Sequence, residues 1–148
     1  MTIKRISQVT VISLAAAAAT LAYAADATNP PVKARQEAMD TIGKNTKLLS
    51  QMAKGERAFD AGEASAAVAT IGQTADKVPD LFKTKADDPE STAKDAIWDD
   101  YDDFTKKVDA LKTAATEADM SSLDSLKASL MELGKSCKSC HDDYREKK

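Results

Sequence analysis

Apolar residues recur at intervals of three and four along four stretches of the chain, which is the spacing of one face of an α-helix. The first stretch covers about residues 31–54, and the second covers about residues 62–78 with mostly small residues in its stripe. The third is predicted to begin at Ser91 or Thr92, and the fourth at Ser121. Together they predict an all-α fold, an antiparallel up-down-up-down four-helix bundle.

A different pattern occupies residues 1–24. Lys4 and Arg5 precede an apolar, alanine-rich run of about 13 residues, shorter than the ~20 that a membrane span needs. The letters AYA at 22–24 then supply a small-x-small cleavage site. We predict a cleaved secretory signal peptide rather than an uncleaved anchor. The mature domain is expected to cover residues 25–148, in the periplasm, with no membrane insertion after cleavage.

Composition and charge narrow the classes of function. A chain of 148 residues is the size of one domain. Acidic and basic residues are interspersed, with a formal net charge of −3, so neither a nucleic-acid partner nor an anionic lipid patch is indicated. One histidine and no glycine-rich phosphate loop give no arrangement for hydrolysis or group transfer, so we do not predict an enzyme.

Both cysteines and the only histidine lie in one word, CKSCH, at residues 137–141. A Cys137–Cys140 disulfide is one interpretation, since export permits it. A zinc site is another, but it would have only three ligands. The third is haem c, with thioether bonds from Cys137 and Cys140 and with His141 as the iron ligand. The spacing is that of haem attachment, so we predict one covalent haem c in the bundle core.

The second axial position of the iron must come from a residue other than histidine. Methionine is the usual partner of histidine in electron-transferring c haems. In an antiparallel bundle, Met39, ~12 Å from the start of its helix, comes level with His141, ~11 Å from the C-terminus. Met52, Met120 and Met131 lie at other heights or off the apolar seam. Met39 is therefore expected to bind the iron or, as an ordinary core methionine, to pack over an open iron face.

Two arginines are candidates for binding the haem propionates. Arg35 lies on the apolar seam one turn before Met39, where an arginine needs a partner. Alternatively, the Arg35 side chain could snorkel from the end of the helix, with its charged head in water. Arg145 follows His141 by four residues, but a cation at a helix C-terminus is favourable without a propionate.

The words CKSCHDDYR on the last helix and RQEAM on the first resemble the class II c-type cytochromes. This family includes cytochrome c′ and the low-spin cytochrome c-556 type. The likeness covers about residues 32–147, and the words VPDLF and AIWDDYDDF occur in the expected order. The segment RQEAMDTIGKNTKLL is closer to the low-spin type.

The resemblance implies two functions that divide at Met39. In low-spin members a methionine here binds the iron, and the protein passes electrons to redox partner proteins of the periplasm or inner membrane. In cytochrome c′ the position faces an open site that binds nitric oxide or carbon monoxide, and some such members also carry methionine. The resemblance further implies a homodimer through the first two helices. A haem-free helical protein with a Cys137–Cys140 disulfide is the third hypothesis.

Overall fold

The computed structural model describes residues 27–147 of the chain, and this part contains six helices joined by loops. The predicted signal peptide over residues 1–24 lies outside the described residues. No helix within residues 27–147 is both long and apolar enough to cross a membrane. The helices are α1 (Pro30–Ala53), α2 (Ala61–Ala75), α3 (Val78–Phe82), α4 (Ala96–Asp99), α5 (Tyr101–Thr116) and α6 (Leu123–Tyr144).

The four long helices α1, α2, α5 and α6 form the bundle, which confirms the predicted fold class. Packing runs from α1 to α2, from α2 to α5, from α5 to α6, and from α6 back to α1. The apolar seams predicted from the sequence meet in one core, because each long helix turns its buried face toward its neighbours. Fully buried members of this core include Leu49, Met52, Ile71, Leu126 and Leu133.

The second predicted helix ends about three residues earlier than expected, and the third is divided. The second ends at Ala75, and Val78–Phe82 forms the separate helix α3. The third breaks at Asp100, whose φ of −135° and ψ of 68° are not helical. Its carboxylate accepts a 3.0 Å hydrogen bond from the Asp103 N–H and caps α5. This break separates α4 from α5.

The expected cap at Ser91 or Thr92 is wrong because this backbone is used elsewhere. The Glu146 N–H donates to the Thr92 carbonyl at 2.8 Å, and the Lys94 N–H donates to the Tyr144 carbonyl at 3.0 Å. The segment before α4 is therefore bridged to the chain just after α6. We call residues 83–95, which join α3 to α4, the crossover loop.

The start of the last helix also differs by one residue. Ser122, not Ser121, is its N-cap, and its hydroxyl accepts a 3.1 Å hydrogen bond from the Ser125 N–H. From there α6 continues unbroken through the CKSCH word to Tyr144.

Candidate functional site

Cys137 and Cys140 lie one turn apart on α6, and both are half-buried free thiols. Burial raises the pKa of the Cys137 thiol and raises that of Cys140 to about 11. The Lys107 ammonium on α5 partly opposes the rise at Cys140. Both free thiols are therefore protonated near neutral pH, and no disulfide joins them.

His141 follows directly on the same helix and is half-buried. Burial lowers the pKa of its imidazole, and the positive charge of Arg145 lowers it further. The neutral form is favoured, and this is the form that binds metal ions. Across residues 27–147, no three His, Cys, Asp or Glu side chains gather into a group that could hold a metal ion.

A cleft between α1, α6 and the crossover loop surrounds this imidazole. It consists of three cavities, of about 290, 90 and 580 Å³, that all have Met39, His141 and Arg145 in their walls. The smallest cavity has mainly apolar walls, and the largest includes exposed residues of α1. The apolar walls come from Val78, Phe82, Ile97, Phe104, Val108 and Tyr144. The outer walls include Asp40, Gly43, Lys47 and Cys137.

The structure brings Met39 and His141 to the walls of the same cavities from two different helices. Met39 is half-buried and packs against the core. The other mature methionines are elsewhere: Met52 and Met120 are buried in the core, and Met131 is 63% exposed. Among these methionines, only Met39 stands beside the imidazole in the cleft walls.

Arg35 also lines the cleft, but its guanidinium forms hydrogen bonds with α3 and the crossover loop. The residue is only 3% exposed, so it does not snorkel. Burial lowers the pKa of Arg35, and the charge of Asp87 opposes this shift. Its Nε, Nη2 and Nη1 donate to three backbone carbonyls. The acceptors are those of Leu81 (2.9 Å), Thr84 (2.5 Å) and Ala86 (3.5 Å).

Two aromatic rings hold the same guanidinium. Its central carbon lies 4.8 Å from the Phe82 ring centroid and 5.3 Å from that of Trp98. The Trp98 indole N–H in turn donates to the Phe82 carbonyl at 2.8 Å. Arg35 therefore fastens α1 to the crossover loop, a role that the sequence did not reveal because loop carbonyls leave no pattern.

Arg145 directly follows α6 and is exposed. Its backbone is extended, with φ −122° and ψ 133°, and forms an isolated antiparallel bridge with Ala93. Ala93 and Thr92 line the cleft beside His141. These two loop residues were missed as site residues, since a polar loop carries no signal of where it will pack.

Tyr144 closes the other side of the site. Its phenol donates to the Asp103 carboxylate at 2.7 Å, and its ring meets Phe104 edge-on with centroids 5.4 Å apart. The Lys107 ammonium on α5 also forms a 2.8 Å ion pair with the carboxylate of Asp143, the residue before Tyr144. These contacts fix the last turn of α6 against α5.

The residues present fit a covalently bound haem c. Two unlinked thiols lie one turn apart, a neutral imidazole follows the second, and an apolar cleft opens beside them. Thiols of this kind form thioether bonds with haem vinyl groups, and imidazole is a common iron ligand.

Comparison with known proteins identifies the family of the chain. The chain matches the family described as Cytochrome C′ over residues 30–145. It is 37% identical over 121 residues to cytochrome c-556 of Agrobacterium fabrum, covering 79% of this chain and 82% of that protein. It is 37% identical over 152 aligned positions to cytochrome c′ of Cereibacter sphaeroides, covering 95% and 99%.

Solved structures show the same relationship. An NMR-validated structure of oxidized R. palustris cytochrome c556 matches with a TM-score of 0.74 and 28% identity, covering 80% of this chain and 98% of that one. These matches confirm the resemblance to class II c-type cytochromes. The chain therefore belongs to the cytochrome c′ family, and its cofactor is one haem c, covalently attached through Cys137 and Cys140.

Proposed function

We propose that this protein is a periplasmic electron carrier in which His141 and Met39 hold the haem iron. The observation that carries the proposal is the placement of these two side chains in the walls of the same three cavities, from α6 and α1. Cys137 and Cys140 would anchor the haem to α6. When bound, the haem supplies a one-electron ferric–ferrous couple.

The residues of the chain would tune the reduction potential of this couple in two ways. The neutral His141 imidazole and the Met39 thioether are the ligand pair typical of electron-transferring c haems. Apolar side chains from α4 and α5, including Ile97 and Phe104, limit water at the site. A protein shell of this kind tunes the reduction potential through the local dielectric.

Arg35 and Arg145 remain the proposed partners of the haem propionates. Arg145 is exposed at the end of α6 and borders all three cavities. Arg35 has five N–H donors, and three of them bind carbonyls, one in α3 and two in the crossover loop. The remaining N–H groups could donate to a haem propionate while Arg35 keeps its hydrogen bonds to the loop.

Location and assembly complete the proposal. The predicted signal peptide and the bacterial relatives support the periplasm. We expect a carrier rather than an enzyme, which exchanges electrons with proteins of the periplasm or inner membrane. A homodimer through α1 and α2 follows from the resemblance, and sedimentation of the holoprotein tests it.

Absorption spectra of the holoprotein test the proposed function. We expect low-spin, six-coordinate iron in both oxidation states and slow carbon monoxide binding to the ferrous form, because Met39 must first be displaced. A high-spin spectrum with rapid carbon monoxide binding would instead support the alternative, a five-coordinate cytochrome c′ that binds nitric oxide or carbon monoxide. Exported protein without a Soret band would contradict haem attachment and support the third hypothesis, a haem-free protein with a Cys137–Cys140 disulfide.

A further inference from the structure

Gly43 lies in the middle of α1, where a glycine is unfavourable for the helix itself. It is not needed for a left-handed turn, because Gly55 is the glycine with positive φ among residues 27–147. A Cβ at Gly43 would meet no atom of the described residues within 4 Å. By contrast, a Cβ at Gly72 would lie 3.5 Å from that of Ala115, where α2 packs on α5. Packing between helices therefore does not account for Gly43.

The distinguishing feature of Gly43 is its place in the wall of the cleft. Together with Met39, one turn before it on the same face of α1, it lines the largest cavity. Cys137 and His141 of α6 line the same cavity. Open space alone would not be enough, since a Cβ at Gly134 on α6 would also meet nothing within 4 Å. Gly134, however, is absent from the walls of the three cavities.

The direction of side chains on a helix determines where a larger residue at position 43 would lie. The Cα–Cβ bonds of a helix tilt toward its N-terminus, so a side chain covers the turn that precedes it. The turn before Gly43 carries Met39, and both residues line the cavity that Cys137 lines from α6. A larger side chain at position 43 would therefore extend beside Met39 into this cavity.

The two attachment points of the haem open on different parts of the cleft. Cys137 lines the largest cavity, Cys140 lines the smallest, and His141 lines both. One haem joined to both thiols therefore has to occupy space in both cavities. The α1 wall of the larger one is where Gly43 lies.

We propose that Gly43 is a haem-positioning residue, whose missing side chain leaves the clearance on α1 that the haem needs beside Cys137. Glycine is the residue that allows a backbone to approach a ligand closely. The inference goes beyond the proposed function, because it concerns the fit of the haem in the cleft and not the sixth ligand of the iron. It therefore applies equally to a six-coordinate and to a five-coordinate iron.

Urea unfolding of the holoprotein, compared between two leucine variants, tests this inference. Gly43→Leu and Gly134→Leu are matched, because each replaces an exposed mid-helix glycine with a residue of higher helix propensity. Gly134→Leu should lower the equilibrium constant for unfolding about threefold, since nothing opposes the gain in propensity. Gly43→Leu should instead raise it about tenfold, because its side chain and the haem compete for the same space. Equal stabilisation of the two variants would overturn the inference.

Circular dichroism in the Soret band separates contact with the haem from a general effect on the bundle. Gly43→Leu should change the intensity of this haem signal, and Gly134→Leu should leave it as in the wild type. A destabilised Gly43→Leu variant with the wild-type Soret signal would overturn the inference.

The alanine variants decide the question if Gly43→Leu yields no folded holoprotein. Both Gly43→Ala and Gly134→Ala gain helix propensity, but only the methyl group at position 43 takes up room in the cleft. We expect Gly134→Ala to lower the equilibrium constant for unfolding at least about twofold more than Gly43→Ala. Equal effects of the two alanines would overturn the inference.

Discussion

The phenol of Tyr144 donates a 2.7 Å hydrogen bond to the carboxylate of Asp103 and thereby ties the end of α6 to α5. Tyr144 is buried and follows His141 by three residues. Burial raises the pKa of Tyr144, and the hydrogen bond to Asp103 raises it further. The phenol therefore stays protonated and remains a donor at all ordinary pH values.

Substituting Tyr144→Phe removes this donor and keeps the ring against Phe104. We expect the free energy of unfolding of the holoprotein to fall by about 1.5 kcal/mol, the lower end for a hydrogen bond to a charged group, because the Asp103 carboxylate is partly exposed. Urea unfolding measures it. In a double-mutant cycle with Asp103→Ala, the two losses should be less than additive. Additive losses would show that the bond contributes nothing.

Arg35→Lys should loosen the crossover loop. Lysine cannot reproduce the guanidinium fork, so at least one of the carbonyls of Leu81, Thr84 and Ala86 loses its partner. We expect a loss of about 2 kcal/mol in stability. Faster amide hydrogen exchange should appear over residues 83–90.

Arg57→Lys provides the matched control for that substitution. Arg57 forms an exposed ion pair with Glu63, with its side chain 47% exposed. Such pairs contribute little, so the change should remain within about 0.5 kcal/mol. If the loop exchanges at the same rate in Arg35→Lys as in the wild type, Arg35 does not hold it.

Asp88 gives stability a predicted pH dependence. Its carboxylate accepts hydrogen bonds of 2.9 Å from the N–H groups of Thr28, Asn29 and Glu90, joining the start of α1 to the crossover loop. The bonds from Asn29 and Glu90 are the main causes that hold its pKa below the usual carboxyl value. Because the folded state favours the ionised form, this contribution is complete above about pH 4 and is lost as the pH falls through the lowered pKa.

Unfolding of Asp88→Asn as a function of pH measures this contribution. The variant should be less stable than the wild type at pH 7, and the difference should shrink under acid conditions. Protonation of His141 affects both proteins equally and cancels in the difference. Glu37→Gln, exposed on α1, serves as the control. A stability difference for Asp88→Asn that stays constant from neutral to acid pH would contradict the assignment.

The sequence allowed prediction of features that depend on short-range spacing. Apolar residues such as Ile42, Leu49 and Leu126 repeat with the helical period, so the bundle could be predicted from the sequence, and the structure buries these residues. The CKSCH word could be interpreted because thioether attachment needs its groups on one turn of helix. Met39 and His141 came level because an antiparallel bundle relates height to distance along the chain.

Features that depend on tertiary partners were missed. Arg35 reaches carbonyls 46 to 51 residues away, and nothing in its own neighbourhood specifies them. The caps proposed at Ser91 or Thr92 satisfied a local rule, but that backbone pairs with the chain after α6. Asp100 breaks the third helix although the apolar period continues across it. In each case a long-range hydrogen bond or local cap prevails over the helical pattern.

The ferric absorption and near-infrared spectra of Met39→Ala, compared with those of the wild type, are the most direct test of whether Met39 binds the iron. Met52→Leu is the matched control, since Met52 is buried in the core and absent from the cleft walls. We expect a low-spin wild type with a sulfur-to-iron charge-transfer band, which Met52→Leu keeps. Met39→Ala should lose the band and become high-spin. A wild type that is already high-spin and five-coordinate, with a spectrum unchanged by Met39→Ala, would contradict methionine ligation.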